Sequence, residues 1–261
     1  MIDSVYNYCN RWCERCPFTD CCGLLAYIPA EDIPPLGGEI MPLPPSFPAM
    51  SGRFGDVLKR LDWQLQERGS SLSAIGYGAG RETPVSSGLD PSALEQLARN
   101  LSRLMLKQEE AAWMPDAHRN PDFGRPDVQA LIELRWYQIM IGPKYRRAVS
   151  DAPARNGLTD RDTDLTARLV HLILVRAICG ITVLLETYGR EAYDDLRELL
   201  EGNLRLLSGV RERFPLAYRY RRPGFDEPGQ RRHLMAFFDG YPPVDPFEDG
   251  TWSPGGQAPS A

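Results

Sequence analysis

The chain has 261 residues and a net charge of −5. This length permits one large domain or two small ones, and the acidic balance excludes a protein whose whole surface attracts nucleic acid. Residues 1–20 are polar and contain neither the basic nor the apolar region of a signal peptide. We therefore expect a cytoplasmic protein in a reducing compartment, where structural disulfides are rare.

Residues 1–28 form a cysteine module. Five of the six cysteines follow the pattern C-x3-C-x2-C-x4-C-C, and they are Cys9, Cys13, Cys16, Cys21 and Cys22. Steps of two or three residues return side chains to the same side of a tight turn, so four thiolates from this segment can surround one metal centre. Thiolates select zinc or iron–sulfur clusters over hard cations. Since adjacent cysteines rarely both reach one centre, either Cys21 or Cys22 is the fourth ligand, and we favour Cys22.

The spacing also bears on the identity of the metal. The ending C-x2-C-x5-C resembles the loop that holds a [4Fe–4S] cluster in endonuclease-III-type DNA glycosylases, and the step Cys16-Pro17 resembles bacterial ferredoxins. The C-x3-C-x2-C core is similar to that of radical-SAM enzymes, but no alternation of strands and helices accompanies it here. Zinc knuckles have a similar length, typically with a histidine ligand. We expect a [4Fe–4S] cluster, with Zn2+ as the alternative; a disulfide pair and unliganded core cysteines are the simpler interpretations.

The residues around these cysteines also carry a family resemblance. Residues 8–19 read YCNRWCERCPFT, which resembles the start of an uncharacterised family of bacterial proteins with the signature Y-C-x-R-W-C-E-R-C-P-F-T and a further cysteine. The match covers residues 8–22, with a weaker echo around residues 136–148. The family usually has arginine before its last cysteine, where this chain has Cys21. The resemblance thus implies Cys22 as the fourth ligand and Cys21 as an accessory thiol. It implies a metal site and no reaction, because the family has no assigned activity.

The rest of the chain divides into a strap, a helical domain and a tail. Residues 29–50 are rich in proline with interleaved apolar residues, which predicts a semi-rigid strap along the body of the protein. Residues 51–238 show apolar residues at helical spacing, and nothing after residue 48 alternates as a strand. Residues 239–261 are acidic and rich in proline and glycine, and we expect a disordered tail.

Five helices are predicted within residues 51–238. The first ends at Gly69 and the second starts at Asp90-Pro91. The third follows a break at residues 115–126 and runs to about Val149. The fourth opens near Thr159–Asp164 and runs to Tyr188, and the fifth follows a short turn at Gly189 and ends at Pro215. The Gly/Ser-rich segment 69–89 is predicted to be a mobile loop. We expect an all-α fold, an antiparallel bundle of four long helices plus a shorter one, with the cysteine-rich metal module at its N-terminus.

The fourth helix carries polar residues inside an apolar run. Leu169–Leu185 contains His171 and Arg176 and is shorter than the roughly 20 apolar residues of a membrane span, so we expect a core helix and no membrane partner. A buried arginine needs a partner, and Glu133 is available. The candidate residues for a polar pocket in the bundle core are Glu133, His171, Arg176 and Glu186. A structural ion pair with a satisfied histidine is the favoured alternative.

A second group of polar residues precedes the tail. Residues 205–233 contain eight arginines with interspersed aromatic residues, a composition that can bind phosphates and stack bases. A solvated loop that offsets the acidic tail is the favoured interpretation.

The sequence therefore leaves three functional hypotheses. The first is a cytoplasmic metalloprotein in electron transfer, redox sensing or structural support, with a redox partner protein in the first of these roles. The second is a metal-dependent enzyme that uses the polar pocket, and the third is a nucleic-acid-binding protein. No catalytic residue is identified, since HExxH, GxSxG and P-loop motifs are absent from the sequence.

Overall fold

The architecture comes from a computed structural model, which describes residues 54–75, 77, 90–107, 125–150, 158–215 and 217. These residues form five helices and no strand: α1 Phe54–Gln66, α2 Pro91–Lys107, α3 Pro126–Ser150, α4 Leu158–Tyr188 and α5 Arg190–Arg213. The predicted all-α class is thereby confirmed for the described part of the chain. The cysteine module, the strap and the tail lie outside the described residues.

Local chemistry sets the ends of the helices. The Asp90 carboxylate caps α2 by accepting hydrogen bonds from the backbone N–H groups of Ser92 and Ala93, each at 2.8 Å. Pro91 occupies the first helical position, where its missing N–H costs nothing. Gly189 alone separates α4 from α5, and its φ of +58° is a left-handed conformation that favours glycine. These boundaries match the predicted ones, and α5 ends just before Pro215 as expected.

The fourth helix, α4, lies at the centre of the fold. It packs against α1, α3 and α5, while α2 packs against α3 and α5. Its segment Thr163–Tyr188 is long and apolar enough to cross a membrane, judged by length and composition, a test that the core helix of a soluble protein also passes. Within this segment, 83% of the most apolar window is buried inside the chain. The apolar run of α4 therefore forms the hydrophobic core.

Between α3 and α4, and between α2 and α3, contacting residues occur in reverse order along the two helices. The pairs are Asp127–Tyr188 and Glu133–Arg176 between α3 and α4, and Ala98–Gly142 and Ser102–Gln138 between α2 and α3. Gly180 allows α4 to approach α3 closely, because a Cβ added there would lie 3.1 Å from the carbonyl oxygen of Ala130.

One segment differs from its predicted character. The segment after Gly69 was expected to be a mobile loop, but it begins as a turn that packs on the core. Its apolar side chains Leu72, Ile75 and Tyr77 are buried, and their removal from water holds the turn in place although the neighbouring residues are mostly glycine and serine. The third helix continues through Pro143, which lies within its predicted span. Pro143 cannot donate a hydrogen bond to the carbonyl of Ile139, but both residues are exposed, so water is available to that carbonyl.

Candidate functional site

The proposed metal ligands Cys9, Cys13, Cys16 and Cys22 and the accessory thiol Cys21 lie outside the described residues. Among the residues that the structure describes, no group of three or more His, Cys, Asp or Glu side chains is placed to hold a metal ion.

Glu133 and Arg176 form an ion pair between α3 and α4. Arg176 Nη2 donates hydrogen bonds to both carboxylate oxygens of Glu133, at 2.8 and 2.9 Å. The side chain of Glu133 is 3% exposed and that of Arg176 is 16% exposed. The sequence predicts a partner for this arginine because its neighbours along α4 are apolar, and the structure brings the two residues together. The ion pair links the two helices. Both carboxylate oxygens of Glu133 accept hydrogen bonds from Arg176, so the pair is poorly suited to act as a nucleophile.

Cys179 lies one turn after Arg176 on α4. It is buried, and burial raises the pKa of its thiol to about 12, with Arg176 acting in the opposite direction. The thiol is therefore protonated at neutral pH. Because metal ligands and cysteine nucleophiles react as thiolates, Cys179 is suited to neither role.

His171 belongs to a different group of residues. Its ring is fully buried, and Arg211 of α5 approaches it with Nε 3.4 Å from Nε2. The same guanidinium donates through Nη1 to the hydroxyl of Tyr77, at 3.2 Å. Burial, followed by the charges of Arg211 and Arg168, holds the pKa of His171 well below its ordinary value of 6.5. The ring is therefore neutral at pH 7 and links α4 to α5 and to the turn after α1.

Glu186 is placed near the end of α4, beside α1. It accepts a hydrogen bond from Arg60 Nη2 at 2.8 Å, and partial burial raises its pKa although Arg60 acts in the opposite direction. It lies fifteen positions after His171, which corresponds to about 22 Å along a helix. The four pocket candidates thus have partners in three places: Glu133 with Arg176, His171 with Arg211, and Glu186 with Arg60.

The sequence did not single out two further polar links. Gln138 of α3 donates a hydrogen bond to Asn203 of α5 at 3.0 Å, deep in the core. Tyr188 contacts Asp127, whose pKa is held below its ordinary value by hydrogen bonds from Arg125 and Tyr188 although burial opposes the shift. A polar residue on an otherwise apolar helix face is the signal that points to such links, as it does for Asn203 between apolar neighbours.

The arginine-rich segment is only partly described. Arg205 is exposed on α5, whereas Arg211 is buried between α4 and the turn after α1. The guanidinium of Arg213 lies 5.8 Å from the ring centre of Phe214. One of the arginines considered for phosphate binding therefore serves the core.

Comparison of the chain with models of protein families, with curated proteins and with solved structures finds no match.

Proposed function

We propose that this protein is a metalloprotein whose N-terminal module binds a [4Fe–4S] cluster through Cys9, Cys13, Cys16 and Cys22. The observation that carries the proposal is the clustering of five cysteines within residues 9–22 at spacings that suit one centre. The resemblance of residues 8–22 to a family with this motif supports it. Zn2+ is the alternative occupant, because a set of four thiolates suits both.

In this proposal the helices form a scaffold for the cysteine module. We infer an antiparallel bundle of the five helices, which is consistent with the reversed order of contacting pairs on neighbouring helices. The polar core groups engage one another across helices, as Glu133 does with Arg176 and His171 with Arg211. Such links favour a rigid support for the cysteine module over an enzyme pocket in the core.

The sixth cysteine supports the choice of ligands. Cys179 is buried on the central helix with a pKa of about 12, so its thiol is protonated and enclosed. A centre with cysteine ligands in this chain must then draw its thiolates from the N-terminal module. Thiolates persist in a reducing compartment, which agrees with the expected cytoplasmic location. The roles open to such a centre are electron transfer to a partner protein, redox sensing and structural support.

Metal analysis of anaerobically purified protein tests the proposal. A broad visible absorption with iron and acid-labile sulfide is expected, whereas a colourless protein with stoichiometric zinc would select the alternative. Cys13→Ser and Cys16→Ser should each abolish metal binding. Cys21→Ser and the core variant Cys179→Ser are matched controls and should retain the metal. Full metal retention in Cys13→Ser contradicts the site.

A further inference from the structure

One guanidinium links His171 of α4 to Tyr77 in the turn after α1. Arg211 of α5 donates a hydrogen bond from Nε to Nε2 of His171 at 3.4 Å, and another from Nη1 to the hydroxyl oxygen of Tyr77 at 3.2 Å. All three side chains are buried. Any displacement of the Arg211 side chain therefore affects both of these contacts at once.

The same hydrogen bond determines where a proton can bind to His171. Because Nε2 accepts a hydrogen bond from Arg211, the neutral ring carries its proton on Nδ1. A second proton must then bind to Nε2, the atom that faces the guanidinium. The protonated ring has no acceptor to offer there, and two positive charges would lie side by side. Protonation of His171 therefore breaks this hydrogen bond and displaces Arg211.

The charges around the ring reinforce this effect. Those that act on it belong to Arg211 of α5 and Arg168 of α4, and both are positive. The helix α1, which also packs against α4, has no buried charged side chain among its described residues. The buried charged residues of α3 are Asp127, which contacts Tyr188, Glu133, which binds Arg176, and Lys144. A proton on His171 therefore meets two positive charges at close range.

The turn is the part of this arrangement that is most easily moved. The start of the turn is attached to α1, because the backbone N–H of Leu72 donates a hydrogen bond to the Asp62 carboxylate at 2.7 Å. The later backbone N–H groups bond within the turn itself: that of Ile75 to the carbonyl of Ser71, and that of Tyr77 to the carbonyl of Leu72. The helices α4 and α5, by contrast, each pack against further helices. The end of the turn can therefore leave the core while its start stays in place.

We propose that this end of the turn is an acid-sensitive latch, in which protonation of His171 displaces Arg211 and releases Ile75 and Tyr77 from the core. We call these two residues the latch. Leu72 and the helices keep their places when the latch opens. Because residues 69–89 join α1 to α2 along the chain, opening changes the connection between these two helices. The proposal does not depend on the metal at the N-terminus.

The direction of the pH dependence follows from proton linkage. With the latch closed, burial and the charges of Arg211 and Arg168 hold the pKa of His171 well below 6.5. With the latch open, water reaches the ring and its pKa returns towards the ordinary value. The open form then binds a proton that the closed form does not. The latch is therefore closed above pH 6.5, and below that pH its equilibrium constant for opening rises by up to about tenfold per pH unit.

Hydroxyl-radical footprinting of the full-length chain between pH 8 and pH 5 tests the latch. The radicals oxidise exposed aromatic and aliphatic side chains, and mass spectrometry locates the products in tryptic peptides. Cleavage after Arg68 and Arg81 releases the peptide 69–81, which contains Tyr77 as its only tyrosine. We expect the oxidation of Tyr77 to increase severalfold between pH 7 and pH 5. Leu131 of α3 is fully buried and serves as the internal reference, which should not change.

Two variants assign the opening to the proposed contacts. His171→Gln places a side chain that does not titrate beside Arg211 and should remove the increase, whereas the matched control His233→Gln should preserve it. Tyr77→Phe removes the hydroxyl that Arg211 holds and leaves His171 unchanged. In this second variant Ile75 should be oxidised at pH 7 severalfold more than in the unmodified protein. Circular dichroism of each variant verifies that the helices are retained.

Three outcomes overturn the proposal. The first is oxidation of Tyr77 that stays constant between pH 7 and pH 5, and the second is an equal increase in His171→Gln. The third is a parallel increase at Leu131, which would show that the whole fold opens and not the latch. If His171→Gln does not fold, unchanged oxidation of Ile75 in Tyr77→Phe at pH 7 overturns the proposal by itself.

Discussion

Arg176 of α4 holds both carboxylate oxygens of Glu133 of α3 through one terminal nitrogen, Nη2, at 2.8 and 2.9 Å. The pair joins two helices that are buried against each other along most of their length. The net stability that such a pair adds is small, because both charges lose water when they are buried.

Removal of one partner from this pair is expected to be costly. Glu133→Ala should lower the free energy of unfolding by about 3 kcal/mol, because the carboxylate that compensates a mostly buried guanidinium is lost. Urea denaturation followed by circular dichroism measures the change. The matched control is Glu201→Ala, which removes an exposed i,i+4 partner of Arg197 and should cost about 0.3–0.5 kcal/mol. Equal losses in the two variants would show that the Glu133 pair behaves as a surface ion pair.

Protonation of His171 should destabilise the fold. Burial and the charges of Arg211 and Arg168 hold its pKa well below 6.5 in the folded state. Below pH 6.5 the unfolded chain binds a proton that the folded chain does not. The stability that comes from a neutral His171 is therefore fully present above pH 6.5 and is lost as the pH falls. The free energy of unfolding then decreases with a slope that approaches about 1.4 kcal/mol per pH unit.

Urea denaturation between pH 8 and pH 5 measures this slope. His171→Gln should flatten it, because glutamine does not titrate. His118→Gln and His233→Gln serve as controls for the other two histidines of the chain and should preserve the slope. A slope that persists in His171→Gln would assign the effect to another group.

Cys179 should resist alkylation in the folded protein. The thiol is buried and its pKa is raised to about 12, so thiolate is scarce and the reagent has no access. Iodoacetamide at pH 8, with peptide mapping, should label Cys179 only after urea is added. Cys21 in the metal-loaded protein is the comparison, since a redox role predicts that it labels faster than a free model thiol. Rapid labelling of Cys179 without urea would contradict its burial in the core.

Gly180 of α4 should not tolerate alanine. A Cβ there would lie 3.1 Å from the carbonyl oxygen of Ala130. A backbone carbonyl inside α3 yields little, so Gly180→Ala should lower the free energy of unfolding by about 1 kcal/mol, although alanine has the better helix propensity. Thermal denaturation measures the change, and a variant more stable than the unmodified protein would show that the two helices can separate slightly at this point.

The sequence by itself determined the features that depend on neighbouring residues. Asp90-Pro91, Gly189 and Pro215 marked helix limits correctly, because capping and backbone restriction act within a few residues. The sequence also indicated that Arg176 needs a carboxylate partner, since its neighbours along the chain are apolar. The cysteine module stays a prediction from its spacing and from the family resemblance.

The tertiary structure alone decided which distant residues meet. The sequence suggests one pocket that contains His171, Glu186 and Glu133. In the structure, His171 contacts Arg211, and Glu186 contacts Arg60, which is 126 residues away along the chain. The exposure of Ile139 was equally hidden, because apolar residues occur on most sides of α3 and periodicity does not show which side faces water. The rotation of each helix about its own axis depends on how all five pack together, and a short stretch of sequence does not contain that information.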